Sequence, residues 1–241
     1  MAETHSVRRR KWRFITLLIL VAALIGGWSW LWQFAAGKAE ATLEGWRARE
    51  AKAGRIYQCG SQAIAGYPFR IEIECASASA LFRSNQPPVE IKTRGILVAA
   101  QIYQPNLLIS EFQGPLTVAE PGKPPAIVVN WKLAQTSVRG TPNAPERVSI
   151  VLDRPVVDRM EGDKPQHVLV ARHIELHGRI AEGSAANKPV IETVLRLEQA
   201  SAPTVHPAAE SPVDADITAV LWTASAGVIL GALGIGVVLI G

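Results

Sequence analysis

The sequence predicts a mainly β protein that is tethered to a membrane. An N-terminal transmembrane helix and a stalk helix lead into an antiparallel β-meander or sandwich-like domain, and the C-terminus is a candidate second transmembrane helix. Three observations predict this fold class: an uncharged run of 23 residues near the N-terminus, short Val- and Ile-rich runs separated by turn residues through the middle, and an uncharged run of 25 residues at the end. Regularly spaced runs of this kind are typical of antiparallel sheets.

The first 36 residues predict a membrane anchor. Residues 1–13 form a basic N-terminus with Arg8, Arg9, Arg10, Lys11 and Arg13, and residues 14–36 carry no charge. At about 1.5 Å per residue, such a helix spans a hydrocarbon core of about 30 Å. Positive flanks stay in the cytoplasm. We therefore predict a bacterial inner-membrane protein with a cytoplasmic N-terminus and a periplasmic main domain. A cleaved signal peptide shares this pattern and is the alternative.

Residues 37–54 are predicted to form a stalk helix that continues the membrane helix. Ala39, Leu43 and Trp46 follow one another at helical spacing, with mixed charges between them, and Gly54 is placed to end the helix.

Residues 55–200 are predicted to form the antiparallel β domain. The connectors between its apolar runs are too short for crossover helices, which excludes parallel βαβ units. Two strands near the end of the domain alternate clearly between apolar and polar residues. The residues on one face of the first are Val168, Val170, Ile174, Leu176 and Ile180, and those on one face of the second are Ile191, Leu195 and Leu197. The runs 96–100 and 126–129 are apolar on both faces. Such strands are covered twice, by a second layer, by the stalk helix or by an apolar ligand.

The end of the chain is predicted to return to the membrane. Residues 201–216 form a linker rich in Pro, Ala and Ser, and residues 217–241 carry no charge. Gly227, Gly231 and Gly234 fall on one helical face, where small residues permit close packing of helices in lipid. The sequence therefore predicts an apolar tail that forms a second span.

The two cysteines, Cys59 and Cys75, both lie in the predicted periplasmic domain. With no third thiol to compete, a disulfide between them is the simplest inference, and an oxidising compartment permits it. A redox-active pair is the alternative, although the spacing is far from Cys-x-x-Cys.

The segment Gly66–Ile71, with the sequence GYPFRI, carries a resemblance to known families. Bracketed by the two cysteines and preceded by a membrane anchor and a Trp-bearing helix, it resembles an uncharacterised alphaproteobacterial family of membrane-anchored envelope proteins, the domain of unknown function 2125. Its Gly-aromatic-Pro-Phe entry into a strand is also similar to the start of the β-layer in AsmA-like envelope proteins, for which phospholipid transport or outer-membrane maintenance has been proposed.

The first resemblance covers about residues 10 to 220 and implies no catalytic residue. It also implies a polar, β-rich continuation after Leu221, where this chain turns into its apolar tail. A genuine second span and the product of a truncated or shifted reading frame are both open at this point.

Charge and motifs limit the function classes. The net charge is +4, but beyond residue 36 the chain holds 20 basic and 20 acidic residues. A neutral body without a basic stripe argues against a nucleic-acid partner. His173, Glu175 and His177 alternate along one strand and therefore share a face, which makes them a candidate metal site. An ordinary exposed polar face is the alternative, and we predict neither a catalytic site nor a cofactor.

We therefore predict a membrane-anchored β domain that handles lipid or maintains the envelope, with the bilayer and a phospholipid as partners. Tyr67, Phe69, Val98 and Val128 are candidate residues of an apolar ligand groove. Burial of an acyl chain in such a groove gains about 0.8 kcal/mol per CH₂. Two alternatives stay open: a scaffold that binds another envelope protein, and a metal-dependent hydrolase built on His173, Glu175 and His177.

Overall fold

The structure is a computed structural model that describes residues 4–141, 144–162, 164–184, 190–204 and 209–222. Its described part contains one helix and thirteen strands, and all of the strands belong to one antiparallel sheet. In chain order the elements are α1 (Thr4–Lys52), β1 (Arg55–Gln58), β2 (Ser61–Ala65), β3 (Arg70–Phe82), β4 (Val89–Gln101), β5 (Gln104–Ala119), β6 (Ile127–Asn130), β7 (Leu133–Thr141), β8 (Ala144–Asp153), β9 (Val156–Glu161), β10 (Lys164–Val170), β11 (His173–Ile180), β12 (Val190–Ala200) and β13 (Val213–Trp222).

The sheet is an antiparallel meander in which β6 and β7, β8 and β9, and β10 and β11 are consecutive segments of three interrupted strands. β1 and β2 pair with opposite halves of β3, and β3, β4 and β5 follow in order. β5 then pairs with β6 and with β7 along different parts of its length. The sheet continues through β8 and β9, then β10 and β11, to β12 and β13. The antiparallel meander predicted from the connectors is confirmed.

The middle strands are interrupted along one line across the sheet. The breaks at 131–132 and 154–155 lie opposite each other, because the registers of β6–β9 and β7–β8 continue across them. The break at 171–172 lies opposite 154–155 in the same way. β5 shifts its register at the same level, at Gly114–Pro115. We call these four positions the crease; it separates β7, β8 and β11 from β6, β9 and β10.

One face of the sheet is apolar and the other is polar. Directly opposite residues of an antiparallel pair project to the same side. One such row joins Ile150 to Leu176, Leu195 and Ile217, while the adjacent row joins Val151 to Glu175 and Arg196. The faces predicted for Ile174, Leu176 and Ile180, and for Ile191, Leu195 and Leu197, are confirmed, because these two sets pair across β11 and β12. The single strand predicted to include Val168 and Val170 is wrong, because the chain is interrupted at 171–172 between β10 and β11.

Helix α1 covers the beginning of the apolar face. Its buried positions are Trp32, Ala36, Leu43 and Trp46, which recur at spacings of three, four and seven residues and so form one stripe. Residues 12–27 of the same helix are exposed throughout. The helix is therefore free of the sheet up to Gly27 and packed on it from Trp28 onward. Of the two architectures proposed for the domain, the sheet backed by a helix is observed, not the sandwich.

The sheet has two ends. At its proximal end lie the turn Gly66–Phe69, which contacts α1 at Trp28, and the β4–β5 turn at 102–103. At its distal end lie the last turn of α1 and residues 83–88 between β3 and β4. Because the strands alternate in direction, β13 ends at Trp222, paired with the first residue of β12, at the proximal end.

The structure agrees with the sequence on the stalk and differs from it at the tail. The stalk helix continues the membrane helix as predicted, in one helix that ends at Lys52. Residues 213–222 form β13 instead of the end of a linker and the start of a span. The reason is that Val213, Ala215, Ile217, Ala219 and Leu221 alternate with the residues between them, which is the period of a strand. The rest of the tail, including Gly227, Gly231 and Gly234, lies outside the described residues.

The disulfide between Cys59 and Cys75 is confirmed. It joins the β1–β2 connection to β3, with the two Cα atoms 5.4 Å apart, and both sulfur atoms lie beneath α1 at the wall of a cavity.

Candidate functional site

The candidate site is an apolar cavity of about 120 Å³ between α1 and the first strands of the sheet. Leu43 and Trp46 of α1 form one wall, and Tyr57 of β1 lies beside them. The sheet forms the other wall with β3, β4 and β5. Its lining on these strands is mostly aliphatic or aromatic: Ile73, Cys75, Ala78, Ala80, Phe82, Ile91, Ile96, Val98, Phe112 and Leu116. Ligand pockets usually begin at about 300 Å³, so this cavity alone accommodates part of a lipid, not a whole one.

The cavity carries one polar atom without a partner. The indole of Trp46 stacks at a tilt on Tyr57, with ring centroids 4.7 Å apart, and Trp46 is only 5% exposed. Its Nε1 donor is buried and has no hydrogen-bond partner among the described residues. An unsatisfied buried donor costs about 1–3 kcal/mol. Trp46 Nε1 is therefore an unsatisfied donor in the wall of the cavity.

The surroundings of the cavity are desolvated. Burial raises the pKa of Tyr57 above its ordinary value, with the Glu50 carboxylate adding to the effect. On the other side of the disulfide, Arg47 Nη2 donates to Cys59 Sγ at 3.1 Å. These polar groups lie at the rim, which leaves the cavity interior apolar.

The apolar face continues beyond the cavity. Leu108 of β5 leads to a small core of Val138 and Val148, which are 7% and 5% exposed. From there the face extends across β8, β11, β12 and β13. Its residues there are only half-buried, and Ile217 is 51% exposed: Ile150, Leu152, Ile174, Leu176, Leu195, Leu197 and Ile217. The strands all lie in one sheet and α1 contacts its β1 edge, so the described chain places no second layer over these residues.

The four residues predicted to line a groove are not brought together. Val98 lines the cavity and is 8% exposed. Val128 pairs with Thr117, whereas its neighbour Val129 pairs with the cavity residue Leu116. Because successive residues of a strand point to opposite faces, Val128 lies on the polar side. The hypothesis that an apolar run on both faces marks the groove fails at this position.

Tyr67 and Phe69 lie at the proximal end, outside the cavity. Trp28 Nε1 donates to the Pro68 carbonyl oxygen at 2.9 Å, and Trp32 Nε1 donates to the Arg70 carbonyl oxygen at the same distance. The Tyr67 ring meets the Trp32 ring edge-on at 5.6 Å, and Phe69 lies 6.1 Å from Trp28. The turn is therefore fixed to the helix through two indole donors.

The candidate metal residues form a hydrogen-bonded cluster on the polar face. His173 Nε2 and His177 Nε2 each donate to one oxygen of Glu175, both at 3.1 Å. The Ser149 hydroxyl lies 2.9 Å from His177 Nδ1, and Arg196 lies 3.7 Å from Glu175. The hydrogen bonds from His177 and His173 hold the pKa of Glu175 below its ordinary value. The prediction that the three side chains share a face is confirmed.

The cluster does not have the arrangement of a metal site. The Nε2 atoms of both histidines are directed at Glu175, and no group of three His, Cys, Asp or Glu side chains in the described chain is arranged to hold a metal ion. The Ser149–His177–Glu175 order is that of a nucleophile, base and acid. However, it lies on the opposite side of the sheet from the cavity, because Leu176 between Glu175 and His177 faces the apolar side.

The residues that build the cavity from the sheet side were not predicted from the sequence. Phe112 and Leu116 lie four residues apart on β5, an even spacing that places both on the apolar face of the strand. Trp28 and Trp32 were also not predicted to contact the β domain, but their indoles donate to the carbonyl oxygens of Pro68 and Arg70. The signal that could have found them is the helical spacing that they share with Trp46.

Comparison with known proteins gives a family and no close relative. A family model described as "Uncharacterized protein conserved in bacteria (DUF2125)" matches residues 32–232. No curated protein and no solved structure matches the chain, and the resemblance to AsmA-like proteins has no further support.

Proposed function

Because the chain belongs to the DUF2125 family of uncharacterised bacterial proteins, whose description carries no activity, we propose from the structure that it is a membrane-anchored protein that shields lipid acyl chains on the apolar face of its sheet. The observation that carries the proposal is the extent of that face. It begins in the cavity under α1 and continues to Ile217 with half-buried aliphatic side chains. Exposed apolar surface of this extent is typical of a binding site.

The anchor supports a lipid as the ligand. The described helix carries a window with a mean hydropathy of 2.2, none of it buried against the rest of the chain. A protein held beside a bilayer by such a helix has acyl chains within reach at all times. We place the helix in the bacterial inner membrane, with the basic N-terminus in the cytoplasm and the β domain in the periplasm.

The unsatisfied donor beside the cavity supports a ligand with an acceptor. If the Trp46 indole rotates so that Nε1 faces the cavity, an ester or carboxylate carbonyl oxygen of a lipid satisfies this donor. The half-buried side chains of β8, β11 and β12 would cover the chain, at a gain of about 0.8 kcal/mol per CH₂ removed from water.

The test is photo-crosslinking of the full chain in its membrane. A photoreactive amino acid at Ile150 or Leu195 lies on the apolar face, and the same amino acid at Val151 or Val194 lies one residue away on the polar face. All four positions are half-buried aliphatic residues. We expect lipid adducts at Ile150 and Leu195 only, and fewer adducts in Trp46→Phe. Equal lipid capture on both faces, or none on either, would contradict the proposal.

A second candidate function is a scaffold that binds another envelope protein. It is favoured by β13, which has β12 as its one described neighbour and exposes Val213, Ile217 and Val220 by 49%, 51% and 43%. An edge strand of this kind accepts a further strand from a partner. In the same crosslinking experiment, one protein adduct at Ile150 and no lipid would favour the scaffold.

A further inference from the structure

We infer that the aromatic turn Gly66–Phe69, together with Tyr103, is inserted into the membrane leaflet on the domain side, so that the apolar face of the sheet opens directly onto the bilayer. The inference rests on the membrane-spanning helix of the proposed function, and not on the bound lipid. It concerns a surface of the β domain that the sequence alone places outside the membrane.

The first step is the position of the turn along α1. Trp28 is the first helix residue that contacts the β domain, through its hydrogen bond to the Pro68 carbonyl oxygen. Ser29 Oγ lies 2.9 Å from the Tyr67 hydroxyl, and Trp32 donates to the Arg70 carbonyl oxygen one turn later. These contacts place the turn beside residues 28–32 of the helix, so the depth of those residues in the membrane determines the depth of the turn.

The second step is the length of helix below that level. The uncharged run begins at Phe14, so 14 residues separate the last basic residue from Trp28. At about 1.5 Å per residue they span about 21 Å, whereas the hydrocarbon core is about 30 Å thick. The remaining 9 Å or so of the core must overlap with the turn, and any tilt of the helix increases the overlap.

A shift of α1 along the membrane normal does not remove this overlap without a larger cost. Raising Trp28 to the far boundary of the core would draw Arg13 about 9 Å, and Lys11 about 6 Å, into the hydrocarbon on the other side. Charged side chains inside a bilayer cost several kcal/mol each unless they reach the interface. The apolar run itself continues to Ala36, eight residues beyond Trp28, which also places Trp28 below the boundary.

The chemistry of the proximal end fits this depth. Tyr67, Phe69 and Tyr103 are 52%, 61% and 71% exposed. If the turn lay outside the membrane, more than half of each of these aromatic side chains would be in contact with water. The Ile102 amide donates to the Phe69 carbonyl oxygen at 3.1 Å, which holds the two turns together. Aromatic residues are enriched at membrane interfaces. The Arg70 side chain, which is 61% exposed, follows the aromatic turn directly and lies where lipid phosphates would be.

The consequence concerns how a lipid reaches the site. Ile71 and Ala100 pair at the start of the apolar face, next to the turn, and Leu108 pairs with Ala100. The strands run from this end toward the distal end without a break on the apolar side of β3. An acyl chain therefore leaves the leaflet and reaches the apolar face without passing through water.

The test measures depth in the bilayer for the full chain in liposomes. Since both native cysteines are in the disulfide, a cysteine introduced at Phe69 or Tyr103 carries a single fluorescent label. Asn85, exposed in the turn at the distal end, is the matched control. We expect nitroxides on the acyl chains to remove more than half of the emission at Phe69 and Tyr103 and to leave the Asn85 label unchanged.

Two outcomes would overturn the inference: equal emission from all three labels, or quenching of the Phe69 and Tyr103 labels by a water-soluble quencher alone. The label at Tyr103 keeps the test valid if the change at Phe69 disturbs the turn. Loss of lipid capture at Ile150 with quenching intact would reject the lipid-shielding proposal and leave this inference standing.

Discussion

At Gly66, a single residue decides whether the proximal turn forms. Its φ is +94°, and a Cβ there would lie 2.7 Å from the Arg70 carbonyl oxygen. The chain reverses between β2 and β3 at this point, and the Arg70 amide donates back to the Gly66 carbonyl oxygen at 3.1 Å. The turn is thus closed on a glycine that has no room for a side chain.

We expect Gly66→Ala to lower the free energy of unfolding by about 1–3 kcal/mol or more, because strain at positive φ and a backbone clash both act. Gly122→Ala is the matched control, since φ is +78° there and a Cβ would have nothing within 4 Å. Urea unfolding of the full chain in detergent measures both variants. Equal losses for the two would show that the clash at Arg70 contributes nothing.

At the scale of elements, α1 serves two environments with one continuous helix. From Trp12 to Gly27 its side chains are exposed on all sides, and from Trp28 its buried stripe faces the sheet. The helix continues through this change of surroundings without a break. The prediction that the stalk continues the membrane helix is in accord with this continuity.

We expect Leu43→Ala to destabilise the β domain by about 2–5 kcal/mol, the usual loss for a buried leucine. Leu43 is 9% exposed and packs against the sheet at the cavity, so its loss enlarges a space that already exists. The matched control is Leu24→Ala in the free part of α1, where Leu24 is 70% exposed. Thermal unfolding followed by the β-sheet circular dichroism signal should separate the two, and an unchanged Leu43→Ala midpoint would contradict the packing.

Much of the sheet could be predicted from the sequence, and the cavity could not. The strands β11 and β12 were recognisable because Ile174 and Leu176 alternate with polar residues. β13 was hidden because the absence of charge from Ile217 onward masked an alternation of period two. Val128 was misplaced because its run is apolar on both sides, and only the register with β5 determines its face. The cavity depends on which strands α1 covers, and no local pattern contains that information.

At the scale of the whole molecule, the disulfide is related to the side of the membrane on which the β domain lies. Structural disulfides form in oxidising compartments and are rare in the cytosol. Cys59 and Cys75 are the two cysteines of the chain, and both lie in the domain after α1. Their redox state in the cell therefore tests the orientation proposed for the anchor.

When cells are lysed directly into a thiol-reactive polymer, we expect the native protein to gain no polymer and to keep its mobility on a gel. After the disulfide is reduced, we expect each protein molecule to gain two polymers. Cys75→Ser is the control, because it frees Cys59 and should add one polymer without reduction. Two added polymers on the unreduced native chain would place the domain in the cytoplasm. The same variant should lose about 3 kcal/mol of stability by the loop-entropy model.

The sequential order of the strands has a consequence for biogenesis. When β6 with β7, β8 with β9, and β10 with β11 are each counted as one strand divided at the crease, every strand from β3 onward pairs with the strand before it, and the disulfide closes a loop between β1 and β3. A chain that emerges from its N-terminus can therefore add each new strand to an edge that is already formed, without waiting for a distant partner. Low sequence separation between partners also favours rapid folding.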